Sequence, residues 1–287
     1  MSNHVSFSQF SMWCNCPYQW YLNYVKQLRI QNDTIHTVFG TAMHETLQSY
    51  LTVLFNSTIK NANEIDLETM LLEKMKTLFL EKKDKNKEEF ITKENLVEFC
   101  SDGYYIIEHF KKYRDEYFSK SQYELLGIEH PLDISLKNNV NFVGYIDVLI
   151  KDKISNKIKI IDFKTSTGGW REKAKKDPIK ASQLLLYKKF YSEKYDCSID
   201  MIEIEFIILK RKLIENCDFV QKRLQRVVPA SGKPTIKKVS DSFNNFIEQC
   251  FNEDGSYKSD IEYNKAMEKT SCKYCVFLKN NCKGPNK

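Results

Sequence analysis

The chain has 287 residues, enough for one large domain or two small ones, and its 42% hydrophobic and 29% charged residues are typical of a globular protein. Its apolar runs, such as FIIL at 206–209, are far too short to cross a bilayer, and the first ten residues lack the pattern of a secretory signal. We therefore expect a cytoplasmic protein, of a bacterium or an infected host cell, that has no membrane partner and keeps its nine cysteines reduced.

The first 120 residues predict mostly helices. Pro17 is suited to the first turn of a helix over CPYQWYLNYVKQL. Apolar residues recur at helical spacing in GTAMHETLQSYLTVLF, and the same pattern continues over 66–82 and 93–118. The Lys-rich stretch at 81–89 is expected to be a charged connection or a helix end.

From Tyr123 onward the pattern changes and predicts the order β-β-β-α-β. The strands are YELLGIEHPLDISL, VNFVGYIDVLI after a turn at 137–139, KIKIIDFKTS and MIEIEFIILKRK. The helix DPIKASQLLLYKKFYSEKY precedes the last strand, with Asp177 and Pro178 in good N-cap and N1 positions. VVPASGKPTIKK predicts a loop, followed by a helix over 239–252.

These elements indicate an α/β (α+β) protein. We expect one domain over 1–287, with a mostly helical part at 1–120 and a β-β-β-α-β core at 121–228. A helix and a cysteine-containing segment complete it at 229–287.

Two of the predicted strands carry charges suited to a metal site. Asp147 lies in the second strand, and Asp162 and Lys164 are two residues apart at the end of the third, so the latter two point the same way. Carboxylate oxygens suit Mg²⁺ or Mn²⁺, and a lysine there can hold or help deprotonate an attacking water. The alternative is a surface salt bridge at a strand end, because the D-x-K tripeptide is common by chance.

Polar residues on neighbouring helices extend this set. Gln183 and Tyr187 are four apart on the helix after the third strand, so they share a face. His44 lies on the early helix, just after Gly40. Each alone could be a packing or capping residue, but in this order they form a candidate site.

Two other features concern ligands. Cys272, Cys275 and Cys282 lie close together in the sequence, whereas a structural zinc or iron–sulfur site usually needs four ligands.

The stretch from Leu209 to Lys238 contains nine basic residues and only two acidic ones, which indicates either a polyanion partner or a solvated surface. The residues assigned to phosphate contacts are Lys210, Arg211, Lys212, Lys222, Arg223 and Arg226.

The order of His44, GYID with Asp147, IDFK with Asp162 and Lys164, and QLLLY with Gln183 and Tyr187 resembles the RecB-like branch of the PD-(D/E)xK nuclease superfamily. The resemblance also includes the segments SFSQFSMWCNCPYQWYLNYV and FGTAMHE. It covers nearly the whole chain and is weakest at 56–120 and 215–260. It implies a restriction-endonuclease-like core, a central mixed β-sheet flanked by helices, with an N-terminal helical region and a C-terminal cysteine cluster.

The resemblance implies a Mg²⁺- or Mn²⁺-dependent exonuclease. His44, Asp147 and Asp162 would hold the cation, Lys164 would orient the nucleophile, and Gln183 and Tyr187 would position the substrate strand or Lys164. Glu129, in the first strand, is a further candidate ligand or a charged residue facing solvent. Trp170 and Arg171, which follow the third strand, could contact DNA, and Trp170 could do so by stacking on a base. The alternative is that Trp170 is a partly buried loop residue.

The iron–sulfur members that the chain resembles, the AddB nuclease domain and the cluster-containing CRISPR adaptation nucleases, join one N-terminal cysteine to three C-terminal ones. This implies a [4Fe-4S] cluster held by Cys16, which precedes Pro17, with Cys272, Cys275 and Cys282. Cys14 remains a possible substitute for Cys16, and structural Zn²⁺ is the rival metal.

The expected substrate is DNA, with single-stranded or free ends, in the recombination, repair or replication of a phage or mobile element. Because no Walker motif is present, a helicase or recombination protein would be a separate partner. The alternative is a non-catalytic nucleic-acid-binding subunit of a larger repair or CRISPR adaptation complex. The intact Asp147, Asp162 and Lys164 argue against that alternative.

Overall fold

The computed structural model describes residues 3–30, 34–83, 91–266, 269–278 and 280–284. The strands are β1 (Asn3–Val5), β2 (Tyr123–Ser135), β3 (Val140–Asp152), β4 (Ile158–Ser166), β5 (Ile202–Lys210) and β6 (Leu224–Val227). The helices are α1 (Phe7–Asn15), α2 (Pro17–Trp20), α3 (Ile35–Asn56), α4 (Ile59–Glu64), α5 (Leu67–Lys83), α6 (Lys93–Tyr113), α7 (Asp115–Phe118), α8 (Glu172–Lys175), α9 (Pro178–Lys194), α10 (Lys233–Cys250) and α11 (Lys269–Cys272). A π-helical turn, Tyr21–Val25, follows α2, and a 3₁₀ turn, Ile199–Met201, precedes β5.

Within the described ranges, six strands form one mixed sheet centred on β3. β2 runs antiparallel along the whole of one edge of β3. The opposite edge is shared by β1, which is parallel to the start of β3, and β4, which is antiparallel to its end. β5 lies parallel to β4, and β6 pairs antiparallel with β5. This mixed sheet between helices confirms the predicted fold class.

Helices cover both faces of the sheet and bury two hydrophobic cores. One core contains side chains of α1, α9 and α10, and the other contains side chains of α3, α5 and α6. Ile160 and Ile161, neighbours on β4, belong to opposite cores. A strand buried on both sides is expected to have apolar residues at successive positions, which explains the adjacent Ile160 and Ile161. Of the helices in the described ranges, none combines the length and apolar character required to cross a membrane.

Local sequence signals account for several element boundaries. Asp177 accepts the Ile179 N–H at 2.9 Å and caps α9, while Pro178 occupies the first turn, as expected. Thr34 and Thr37 form a capping box at the start of α3. Asn138 and Asn139 have positive φ angles of 57° and 49° in the turn between β2 and β3, a conformation that asparagine tolerates well.

Some predicted boundaries were wrong. The loop predicted over 227–238 is confined to 228–232, because β6 ends at Val227 and α10 begins at Lys233. Pro234, which favoured a loop, lies in the first turn of α10, where its missing N–H costs nothing. β1 and α1 were not predicted, and the helix expected over 93–118 is divided at Arg114 into α6 and α7. Most of the charged stretch at 81–89 lies outside the described residues.

Candidate active site

The candidate site lies in a fork where β3 and β4 separate. Their antiparallel pairing ends at Val148 and Ile161, so Asp147 and Asp162 are the next residues on the two strands. β1 pairs with β3 only over 140–142. Residues 143–147 of β3 therefore have no strand partner on that edge within the described ranges, and helices from both faces of the sheet can reach the two carboxylates.

Asp147 is held from two sides. Its Oδ2 accepts the Phe163 N–H at 2.8 Å and lies 3.2 Å from His44 Nδ1 on α3. Burial raises the pKa of Asp147 to about 6, against the opposing effect of Lys164. Burial also lowers the pKa of His44, so the imidazole is neutral near pH 7 and can act as a nitrogen ligand.

Asp162, Lys164 and Gln183 form a connected set on the other side of the fork. Asp162 is only 2% exposed, and its Oδ1 accepts a hydrogen bond from Gln183 Nε2 at 2.8 Å. Its Oδ2 lies 2.8 Å from Lys164 Nζ. Burial raises the pKa of Asp162 to about 6. Burial opposes charge on Lys164 as well, but Asp162 and Asp147 raise its pKa above the ordinary value, so the ammonium stays charged.

Tyr187 completes this side of the site. Its hydroxyl lies 3.4 Å from Gln183 Nε2, and burial raises its pKa to about 12, so it remains protonated. Its ring lies against β3 at Gly144, where an added Cβ would come within 2.8 Å of Tyr187 Cε1. The glycine of GYID therefore makes room for the tyrosine of QLLLY.

Glu129 is brought to the same fork from β2. Its neighbours Ile128 and His130 pair with Val148 and Ile146, which places Glu129 opposite Asp147. Its φ of 46° is unusual for a glutamate in a strand and indicates a locally strained backbone. Gln48 Nε2 donates to Glu129 Oε1 at 2.5 Å and lies 3.5 Å from the Asp147 carbonyl oxygen.

Gln48 was missed by the sequence analysis. It lies four residues after His44 on α3, so both side chains face the fork, and it is only 4% exposed. The spacing H-x-x-x-Q was the available signal. A glutamine on a helix is usually solvated, however, and nothing in the sequence alone paired this one with a strand 81 residues away.

A family model described as the PD-(D/E)XK nuclease superfamily matches residues 4–281 of the chain. The chain belongs to this superfamily. Membership implies a nuclease that acts on DNA, and nucleases of this superfamily typically use Mg²⁺ or Mn²⁺. No curated protein matches the chain.

The residues of the fork fit such a cation by their chemistry. Among the described residues, no three or more His, Cys, Asp or Glu side chains are already arranged around a metal position. The fork nevertheless gathers hard carboxylate oxygens with a neutral imidazole. Asp162 Oδ2 is buried and accepts no hydrogen bond of good geometry from the described residues, although Lys164 Nζ is near. Buried, mutually repelling carboxylates are stabilised in their charged form by a cation.

A cavity of about 330 Å³ opens beside the fork. Lys164 and Gln183 line it together with residues of α1 and the half-buried Trp170. The Trp170 ring lies 5.1 Å from that of Phe206, and its backbone N–H donates to Gln225 Oε1 at 2.7 Å. Trp170 is thus both partly buried and exposed to this cavity.

The segment after Trp170 brings a basic and an acidic side chain to the cavity. Lys180 and Asp177 both line it, and Lys180 Nζ lies 3.7 Å from Asp177 Oδ2. Arg171 is exposed, and Lys180 lines the cavity with its Nζ 5.8 Å from the centre of the Trp170 ring. Residues 171–180 contain five basic and two acidic residues, and the acidic ones pair within the segment: Glu172 with Lys175 and Lys176, and Asp177 with Lys180. Of Arg171 and Lys180, only Arg171 was predicted from the sequence to contact DNA.

Most basic residues assigned to phosphate contacts at 210–226 are engaged within the protein. Arg211 pairs with Asp102 at 2.6 Å, Lys212 with Glu98 and Asp102 at 3.0 and 2.9 Å, Lys222 with Glu116 at 2.6 Å, and Arg226 with Glu205. Arg223 donates to the carbonyl oxygens of Lys210 and Arg211, and the aliphatic part of Lys210 lies against Gly169. The carboxylates of Glu98, Asp102, Glu116 and Glu205 come from distant parts of the sequence and offset much of the positive charge at 210–226.

The two ends of the chain meet at the cysteines. Cys16, Cys272, Cys275 and Cys282 line one small pocket, whereas Cys14 lines a different groove between α1, α9 and α10. Cys16 Sγ accepts N–H groups from Gln19 at 3.4 Å and Ala266 at 3.3 Å. Burial raises the pKa of the Cys272 thiol, and Cys275, Cys16 and Cys282 raise it further. Within the described ranges, the four sulfurs are not arranged around a metal position.

Proposed function

We propose that the protein is a Mg²⁺- or Mn²⁺-dependent exonuclease that hydrolyses phosphodiester bonds at DNA ends, with its chain forming one nuclease domain of the RecB-like branch. The observation that carries the proposal is the fork between β3 and β4. It gathers Asp147, Asp162 and Lys164 beside an open cavity in a member of a nuclease superfamily.

His44, Asp147 and Asp162 would hold the cation, with Glu129 available from β2. When bound, a divalent cation supplies Lewis-acid activation of water and of the phosphoryl group. The protein contributes fixed positions for these ligands. The Phe163 N–H orients Asp147, and Gln183 orients Asp162.

Lys164 has the chemistry needed at the scissile phosphate. Its ammonium stays charged because of the two carboxylates, and it lines the cavity where the substrate strand would lie. From there it can orient the attacking water and offset negative charge that develops on the phosphate. Gln183, which donates to Asp162 and lies beside the Tyr187 hydroxyl, would together with Tyr187 position the substrate strand or Lys164.

The substrate strand would pass the basic segment 171–180. Lys180 and Trp170 line the cavity, which supports a phosphate contact by Lys180 and a base contact by Trp170. The exposed Arg171, next to Trp170 in the sequence, would contact a neighbouring phosphate. Action at single-stranded or free ends, a helicase or recombination partner, and a role in phage or mobile-element recombination, repair or replication are supported by the sequence resemblance.

A cleavage assay tests the catalytic proposal. DNA labelled at the 5′ or the 3′ end, single- and double-stranded, is incubated with Mg²⁺, Mn²⁺ or EDTA. We expect metal-dependent release of labelled nucleotides by the wild type and by Asp241→Asn, a control at an exposed position on α10. Asp162→Asn should be inactive. DNA binding without cleavage under every condition would instead support a non-catalytic binding subunit.

We further propose that Cys16, Cys272, Cys275 and Cys282 hold a [4Fe-4S] cluster. Their common pocket and the N–H groups directed at Cys16 support this, because hydrogen bonds to sulfur are typical of cluster ligands. Anaerobically purified protein should contain iron and absorb visible light. Cys16→Ser should lose the iron and Cys14→Ser should retain it. Zinc in place of iron would refute the cluster.

A further inference from the structure

Gln225, on β6, holds the backbone of Trp170 with both ends of its side-chain amide. Its Oε1 accepts the Trp170 N–H at 2.7 Å, and its Nε2 donates to the Trp170 carbonyl oxygen at 3.1 Å. A side chain that bonds both polar groups of one residue replaces the pairing that a neighbouring strand would supply. These two bonds join the loop after β4 to a residue 55 positions later in the chain.

The register of the sheet places Gln225 in line with Lys164. Ile208 of β5 pairs with Lys164 on one side and with Gln225 on the other. Residues paired in this way point to the same face of a sheet, and neighbouring strands lie about 4.8 Å apart. Gln225 therefore points to the same face as Lys164, two strands away. Trp170 lies between them, since its backbone bonds Gln225 and the residue lines the cavity that also contains Lys164.

Two further contacts fix the loop that leads from β4 to Trp170. Ser166 Oγ accepts the Gly169 N–H and donates to the Gly169 carbonyl oxygen, both at 3.2 Å. Gly169 has a φ of 90°, and an added Cβ would come within 2.9 Å of the Lys210 side chain and 3.0 Å of Gln225 Oε1. Glycine therefore allows the loop to lie this close to β5 and β6. The hold on the Trp170 backbone itself comes from Gln225.

We propose that Gln225 is a positioning residue of the candidate site, which sets the affinity for a single DNA strand by fixing Trp170 as one wall of the cavity. Lys164 is held independently of this loop, by the pairing of β4 with β5 and by Asp162 Oδ2 at 2.8 Å. Loss of the hold on Trp170 should therefore raise KM for the substrate strand and leave kcat nearly unchanged. The assignment rests on the proposed binding of a DNA strand in this cavity, but not on its cleavage.

Gln221, four residues before Gln225, offers a matched control. Its amide makes the same pair of bonds to one residue, accepting the Ile214 N–H at 2.9 Å and donating to the Ile214 carbonyl oxygen at 2.7 Å. Ile214 is 71% exposed on the β5–β6 loop, and neither residue is among the described ones that line the cavity. Gln225→Met and Gln221→Met thus remove the same two bonds, but only Gln225→Met frees a wall of the cavity.

Binding of a fluorescently labelled single-stranded oligonucleotide, measured in EDTA to prevent cleavage, tests the assignment. Trp170→Ala should weaken binding roughly 5- to 100-fold, the range expected for one lost base–aromatic contact. Gln225→Met should weaken it about 5-fold, and Gln225→Glu, which keeps the acceptor for the Trp170 N–H, should weaken it less. Gln221→Met should bind as the wild type does. The double variant of Gln225→Met and Trp170→Ala should bind as Trp170→Ala does, because both changes act through one ring.

Iodide quenching of tryptophan fluorescence checks the position of the ring without DNA. The chain has three tryptophans, and Trp13 and Trp20 are buried, so the quenching reports chiefly on the half-buried Trp170. Quenching should increase in Gln225→Met and stay at the wild-type level in Gln221→Met.

The inference is wrong if folded Gln225→Met and Gln225→Glu bind single strands as the wild type does, or if the wild type does not bind them. Effects that multiply in the double variant would also overturn it, since Gln225 would then act independently of Trp170. Cleavage by a wild type that lacks this binding pattern would overturn only the role of Gln225. The expected binding pattern without cleavage would overturn only the nuclease proposal.

Discussion

The fork between β3 and β4 and the cysteine pocket both join residues that are far apart in the sequence, but they do so differently. The fork is built on a sheet that positions Asp147 and Asp162 whether or not they are charged. The cysteine pocket is built from α2 and a C-terminal segment whose regular structure, within the described residues, is limited to α11 and isolated bridges. The fork gathers charged side chains on rigid strands, whereas the pocket brings the two chain ends together.

Asp147→Asn changes a proposed metal ligand of the fork and should have a larger effect than the next three variants. The amide oxygen can still accept the Phe163 N–H, so the fold should persist, but the charge beside His44 is lost. We expect cleavage to fall roughly 100- to 1,000-fold, as for loss of one electrostatic group in an active site. The melting temperature should stay the same or rise, because a buried carboxylate is removed. Single-turnover rates and thermal melts measure both quantities, and a large drop in stability would mean that the fork is structural.

Gly144→Ala should have the next largest effect. The added methyl would overlap Tyr187, which lies beside Gln183. Displacement of these side chains by about 1 Å should reduce cleavage about 100-fold. Gly168→Ala is the matched control, since its Cβ would meet nothing within 4 Å. Equal activity of the two variants would show that the position of Tyr187 does not matter for cleavage.

Gln48→Met should have a smaller effect within the fork. The side chain keeps its length but no longer donates to Glu129, so that carboxylate loses its fixed position. We expect activity, or apparent affinity for Mn²⁺, to decrease about 10- to 100-fold, as for other residues that orient metal ligands. Metal titrations of the cleavage rate, with Gln249→Met as control, provide the measurement. An unchanged metal dependence would exclude the assigned role of Gln48.

Cys272→Ser should have the smallest effect on cleavage per folded molecule and a clear effect on stability. Losing a link between the chain ends frees a long segment, and we expect the melting temperature to fall by at least about 5 °C. Cys217→Ser, on the β5–β6 loop, serves as control. If Cys272→Ser abolished cleavage while the protein remained equally stable, the distinction between the two regions would fail.

The sequence predicted much of the fork because its residues lie on regular elements. Strand alternation placed Asp162 and Lys164 on one face, and helical spacing did the same for Gln183 and Tyr187. The partners of Glu129 and Trp170 could not be predicted, because they depend on how α3 packs on the sheet and on how β6 pairs with β5. Counting charges along residues 210–226 overestimated the free charge, since Asp102, Glu116 and Glu205 reach the basic residues from elsewhere.

The most direct test of the central claim compares Lys164→Met with the wild type under single-turnover conditions, while calorimetry measures Mn²⁺ binding to each. Lys237→Met, on the exposed face of α10, is the control. If Lys164 acts on the phosphate and its nucleophile, cleavage should fall about 100- to 10,000-fold while the variant still binds Mn²⁺. Cleavage at the wild-type rate by Lys164→Met would contradict the assignment of the fork as the nuclease active site.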